Sequence, residues 1–206
     1  MFTMVRPPLR TRAADASLGE YMEQITALYA NFTGRISRKT FWLGVLGLIL
    51  VEIVAAFVIL PVLGLGLLPD LSALATSSDS EAAVEMITAG MRRAAWGSLL
   101  LFALFAFPSL ALTIKRRHDR DSSGLDVVVY FVLTGILMLV QALGIGFTTV
   151  DMGGIAYPAP SMALNAAGLV LGVFGIYLFV VLGCLKGTTG ANQYGPDPLG
   201  TAAALA

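Results

Sequence analysis

The chain is poor in the residues that carry most soluble-protein chemistry. It has one cysteine and one histidine in 206 residues, and only 13% of them are charged, about half the roughly 25% of an average soluble domain. A single cysteine excludes a disulfide framework. One histidine falls short of a zinc site, which ordinarily takes four ligands, mostly sulfur or imidazole. No phosphate-binding glycine loop, nucleophile elbow or HExxH occurs. Thirteen Lys plus Arg balance thirteen Asp plus Glu, so net charge names no partner, and no nucleic acid is expected. An enzyme would need a nucleophile, base or metal beyond the lone His118; the expectation is no catalytic residue, no metal and no cofactor.

What fills the chain instead is apolar: 57% of the residues are hydrophobic and the mean hydropathy is +0.81. A domain of this size still exposes a large share of its surface, so its solvent is expected to be lipid. A hydrocarbon core about 30 Å thick needs about 20 apolar helical residues, and four runs qualify. Phe41 to Leu60 carries one charge, Glu52; Ala94 to Ile114, Val127 to Phe147 and Ala163 to Leu185 carry none.

Translocating positive charge is disfavoured, so Lys and Arg orient the spans. Arg6, Arg10, Arg12, Arg35, Arg38 and Lys39 precede span one, Lys115, Arg116, Arg117 and Arg120 follow span two, and Lys186 follows span four. The opposite connections hold only Arg92 and Arg93, with Asp70, Asp79, Glu81, Glu85 and Asp151. Both termini are therefore expected in the cytoplasm, with the spans alternating as an up-and-down bundle. Met1 to Ala14 is basic and lacks the apolar core of a secretory signal, so span one is expected to direct its own insertion.

Local signals set the boundaries. Ser37 is an expected N-cap, Ser123 to Asp126 and Ser78 to Glu81 read as capping boxes, and Gly187 is placed where a helix end tolerates positive φ. Pro61 and Pro108 should end or kink spans one and two. Trp42, Trp96, Phe41 and Tyr130 suit aromatic belts. Leu18, Tyr21, Met22, Ile25, Leu28, Tyr29 and Phe32 recur at helical spacing, the pattern of an amphipathic helix lying in the membrane interface. The expected organisation is a flexible basic arm (1–16), one all-α transmembrane domain (17–200) and a disordered tail (201–206).

Three polar strings flank the spans on the basic side: Gly34-Arg35-Ile36-Ser37-Arg38 running into Phe41-Trp42, Arg116-Arg117-His118-Asp119 with Ser123-Gly124, and Gly187-Thr188-Thr189-Gly190-Ala191-Asn192 running into Gly195-Pro196-Asp197-Pro198. In this order they resemble the bacterial inner-membrane family known as domain of unknown function 805, the YhaH-like proteins, over roughly Tyr21 to Gly200. Arg117 stands where that family usually has Leu, and Leu125 where it usually has Trp. The resemblance implies a polytopic inner-membrane protein without an established activity, and no catalytic residues.

From the residues themselves, the three strings can converge at one end of a bundle. Arg35, Arg38, Arg116, His118, Asp119, Asp121, Asn192 and Asp197 form a candidate cytoplasmic cluster. In it Asp119, Asp121 or Asp197 would pair with Arg35, Arg38 or Arg116 as a clasp. The same basic residues could attract anionic lipid, and His118 with Asp119 and Asp121 could hold a divalent metal, a weaker reading. Glu52, about 18 Å along its helix from Thr40, lies near mid-bilayer, where an ionised carboxylate is costly. It is expected to hydrogen-bond Gln141, with Thr134 at similar depth, or alternatively to serve a proton or cation pathway. Gly168, Gly172 and Gly175 share a face suited to close packing inside the bundle, or to homodimerisation. Candidate partners are membrane lipids, a second copy of the chain or another membrane protein.

Overall fold

Each apolar run becomes one long helix, because a segment without water to satisfy its amides must pair them internally. The structure, a computed structural model, describes residues 9–66, 80–151 and 156–200. Helix α1 spans Leu9–Tyr29. Gly34, at φ +86, turns the chain into α2, Arg38–Val54, which runs on through a π-helical turn, Ala55–Ile59, to Val62. Helix α3 is Ser80–His118, α4 is Leu125–Ala142, and α5 is Met162–Phe179, closed by a second π-helical turn, Val180–Cys184. Four rods, Arg38–Val62, Glu81–His118, Leu125–Ala142 and Met162–Cys184, are long and apolar enough to cross a membrane. Only 11% to 28% of each apolar window is fully buried within the protein, and α2, α4 and α5 expose long rows of large apolar side chains, far more than water tolerates.

Several boundaries differ from the sequence reading. Helix α1 starts at Leu9, inside the segment expected as a flexible arm. Helix α4 stops at Ala142 rather than Phe147, since Gly144 and Gly146 take positive φ and the β-branched Thr148, Thr149 and Val150 favour a strand. There β1, Phe147–Asp151, pairs antiparallel with β2, Ala156–Pro160, so the fold is mostly helical rather than wholly so. Ser123 does not cap α4; Gly124 does, at φ +77, with no side-chain cap. Pro108 does not end α3, which continues to His118. That helix packs against α1, α2, α4 and the end of α5, and those contacts offset the backbone bond that proline deletes. The capping box at Ser78 and the tail from Thr201 lie outside the described residues.

Neighbouring rods run antiparallel. Gly44 of α2 abuts Leu112 near the end of α3, while Ala56 and Leu60 pack on Leu101. Gly135 of α4 abuts Phe102, and Gly175 of α5 abuts Tyr130. The main core, Ile36, Phe41, Leu112, Val127, Leu178 and Leu182, sits at the basic end; Phe41 therefore points inward, not into an aromatic belt. Gly168 and Gly172 face open space, which overturns their expected packing inside the bundle.

Lipid gives little hydrophobic drive between helices, so close fit decides their packing. A Cβ at Gly44 would lie 2.7 Å from Leu112 Cδ1, in a core with Leu112 fully buried. Gly44→Val should destabilise the detergent-solubilised protein by about 1–3 kcal/mol, the usual range for overpacking. Gly168→Val, with nothing nearby, should leave the thermal midpoint unchanged in the same measurement.

Candidate functional site

The last turn of a helix leaves carbonyls without intrahelical donors. At the end of α5 an unusual run of them is satisfied by side chains from elsewhere in the chain. Arg116 Nε donates to Leu182 O at 2.8 Å, Trp42 Nε1 to Gly183 O at 3.3 Å, Arg38 Nη1 to Cys184 O at 3.0 Å, Arg116 Nη2 to Leu185 O at 2.5 Å, and Arg120 Nη1 to Lys186 O at 3.0 Å. Five consecutive carbonyls thus accept from α2 and from the end of α3. Cations are favoured at a helix C-terminus, where the carbonyl dipoles converge.

One carboxylate ties this cage together. Asp119 Oδ1 accepts from Arg35 Nη2 at 3.0 Å and Nε at 3.2 Å, and Asp119 Oδ2 accepts from Arg116 Nη1. The Arg35, Arg116 and Asp119 side chains are 1%, 0% and 5% exposed. Burying an ion costs several kcal/mol unless every valence is met, and here two guanidiniums share one carboxylate. Arg35 makes up the difference with Gly190 O at 2.7 Å, Thr188 O at 2.7 Å and Gly195 O at 3.3 Å.

The main chain after α5 is folded around the same carboxylate. Thr188 N and Oγ1 both donate to Asp119 O, at 2.8 and 3.1 Å, and a Cβ at Gly187 would overlap the Asp119 side chain. Gly187 is therefore a place of close approach, and it does not take the positive φ expected of it. Asn192 Nδ2 donates to His118 O at 2.9 Å. The His118 ring stacks on Tyr194, centroids 3.9 Å apart, and Nδ1 lies 3.2 Å from Gly34 O; facing a carbonyl, that nitrogen is assigned the proton.

The structure thus brings Arg35, Arg116, His118, Asp119 and Asn192 together and seats Arg38 beside them. Asp197 pairs with no arginine among the described residues: its carboxylate accepts from Leu199 N at 2.9 Å and Gly190 N at 3.0 Å. Those two N–H groups hold its pKa below the usual carboxylate range. Asp121 is exposed at φ +56 and stands outside the cluster. Among the described residues no three His, Cys, Asp or Glu side chains are grouped to hold a metal ion.

Glu52, Gln141 and Thr134 are not brought together. Glu52 is exposed on α2, Gln141 borders a separate cavity of about 400 Å³ with Thr88 and Arg92, and Thr134 Oγ1 is buried without a partner among the described residues. The reason is packing order: α3 stands between α2 and α4, so the expected Glu52–Gln141 bond is not formed.

Sequence reasoning missed several partners. Lys115 Nζ donates to Ala27 O and Leu28 O, both at 2.5 Å, and so caps the end of α1. Arg117 pairs with Asp126 at 2.9 Å. Apart from the three consecutive basic residues at 115–117 and a fourth at 120, nothing in the sequence indicated that their targets are mostly backbone carbonyls.

A family model described as a protein of unknown function (DUF805) matches residues 29–196. No curated protein and no solved structure matches the chain.

Removing one partner of a buried ion pair strands the other. Asp119→Asn should cost about 3–5 kcal/mol, and in a double-mutant cycle Arg35→Met and Asp119→Asn should lose less together than their separate losses imply. Gly187→Ala should resemble the Asp119 variant in thermal melting, having displaced the same carboxylate. A carboxyl with depressed folded pKa supports structure above its unfolded value, about 3.9, and loses that support as pH falls through the lower folded value. The Gly190 and Leu199 amide resonances should therefore titrate together below the ordinary Asp range, and Asp197→Asn should abolish that titration.

Proposed function

Since the chain belongs to the domain of unknown function 805 family, whose activity is not established, we propose from its own geometry that it is a non-catalytic multi-pass module of the bacterial inner membrane. Its four apolar rods cross the bilayer up and down, with the Asp119 cluster and both termini on the cytoplasmic side. The single observation that carries this reading is the clasp. Its residues come from the segment before α2, the end of α3 and the segment after α5, which bracket three of the four rods, and its donors are spent on carbonyls and one carboxylate rather than aimed at a reactant.

The basic bias of that end supports its placement in the cytoplasm. The outward apolar faces of α2, α4 and α5 suit lipid, and Tyr21, Met22 and Ile25 stay exposed on α1, as they would on a helix lying in the interface. The cluster organises the bundle by fixing three helix ends and leaves its outer surface for a partner or for lipid headgroups. A transport role for Glu52 has weaker support: its helical neighbours Leu48, Ile49, Ala55 and Ala56 are apolar, whereas a conduction path needs polar groups in series. An enzyme reading has the least, because His118 is engaged by Gly34 and Tyr194.

Single cysteines introduced into a Cys184→Ser background test the orientation. A membrane-impermeant maleimide should label Thr149→Cys, in the hairpin, in intact cells, and Thr189→Cys only after the membrane is opened. The reverse pattern would overturn the proposed topology.

A further inference from the structure

Resting on the reading of the four rods as bilayer spans, we propose that the cleft between the start of α2 and the segment after α5 binds the phosphate of an anionic phospholipid. The cleft encloses about 330 Å³; Ser37, Arg38, Lys186 and Thr189 border it, and the fully buried Arg116 lines it from within. Two carboxylates also line it, Asp119 and Asp197, and both are already engaged. Asp119 is held by Arg35 and Arg116, and Asp197 by the Gly190 and Leu199 N–H groups.

What remains uncommitted at the rim is donors. The Lys186 ammonium and the Thr189 hydroxyl have no hydrogen-bond partner among the described residues, and Arg38 spends one Nη1 hydrogen on Cys184 O and keeps the rest. Helix α2 begins at this rim, where Ser37 Oγ accepts from Thr40 N at 3.2 Å and the Arg38 and Lys39 N–H groups have no intrahelical acceptor. A ligand that answers several N–H and O–H donors together with two exposed cations is a compact anion with several oxygens, which is a phosphate group.

The surroundings favour a lipid as its carrier over a free ion. Trp42, 40% exposed, lies edge-on to Phe179 at 5.6 Å and hydrogen-bonds Gly183 O beside the Arg38 contact. That is an aromatic pair at headgroup level, with its polar edge turned to the cluster. Beyond it Leu43, Leu46 and Leu50 form an exposed apolar face on α2, along which acyl chains can lie. Leu199 lines the cleft itself and is exposed.

Trp42 also reports on the site, because the only other tryptophan, Trp96, can be replaced. The full chain carrying Trp96→Phe is placed in phosphatidylcholine nanodiscs holding a fixed fraction of brominated phosphatidylglycerol or brominated phosphatidylcholine. Brominated phosphatidylglycerol should quench Trp42 beyond its mole fraction. Lys186→Glu, whose side chain makes no contact, should weaken that preference by about fivefold or more, the effect of one basic side chain near an anionic surface; Lys186→Gln gives the same test if the reversal folds poorly. Arg93→Glu, at the other end of the bundle, should leave it unchanged.

Equal quenching by the two brominated lipids overturns the proposal, and so does an equal loss in Arg93→Glu, which would mean bulk charge alone. Inorganic phosphate added to phosphatidylcholine nanodiscs should neither shift Trp42 emission nor protect it; if it does, the site takes soluble phosphate and the lipid assignment fails. The clasp is judged separately by melting: a preference weakened in Lys186→Glu at an unchanged midpoint supports the site, whereas no preference in the Trp96→Phe chain at an unchanged midpoint overturns this site alone and leaves the clasp and the spans standing.

Discussion

The Asp119 carboxylate, held between Arg35 and Arg116 away from solvent, is the interaction on which the basic end of the molecule depends. Two buried guanidiniums and one carboxylate leave an unbalanced positive charge that no low-dielectric site tolerates alone. The protein balances it with carbonyl oxygens, gathered from the frayed end of α5 and from the chain that follows. The π-helical turn at Val180–Cys184 belongs to this arrangement, because it ends the helix beneath Arg116, Arg38 and Trp42, which take up the Leu182, Gly183, Cys184 and Leu185 carbonyls. The cations complete the helix end, and the helix end completes the cations.

That reciprocity explains why residues distant in the chain behave as one unit. The segment before α2 supplies Arg35 and the first turns of α2 supply Arg38 and Trp42, the end of α3 and the turn after it supply Arg116, Asp119 and Arg120, and α5 and its tail supply carbonyls, Gly187, Thr188 and Asn192. Lys115 extends the same principle to α1 by capping its last carbonyls. The basic end is therefore cross-linked by polar contacts among four of the five helical rods of the described residues, while α4 joins through Arg117 and Asp126. At the other end small apolar contacts such as Ala56 on Leu101 and a short hairpin hold the rods together. The asymmetry follows from composition, because the charged side chains and open carbonyls gather at the basic end, and only shape complementarity remains along the apolar rods.

The spans were legible because a long uncharged run has few alternatives to a helix, so periodicity was hardly needed. The cluster was partly legible: charge within three flanking strings pointed to convergence, and Arg35, Arg116 and Asp119 do meet. Asp121 and Asp197 were not separable from Asp119 by sequence, since all three are carboxylates in loops of the same sign pattern. What distinguishes them is backbone geometry, a positive φ for Asp121 and two N–H groups aimed at Asp197. Gly187 was assigned the wrong use for a related reason: a missing side chain serves equally for unusual φ and for close approach, and only the Asp119 carboxylate beside it tells which.

The sequence by itself determined the number of apolar rods, their medium and the end at which positive charge gathers, because these depend on the sum of side-chain transfer energies along each segment. Tertiary structure alone decided which rod stands beside which. With α3 between α2 and α4, Glu52 faces outward and does not reach Gln141, and Gly168 and Gly172 are left open rather than packed. Contacts between distant segments depend on helix order and rotation, small differences in packing energy that no single segment encodes.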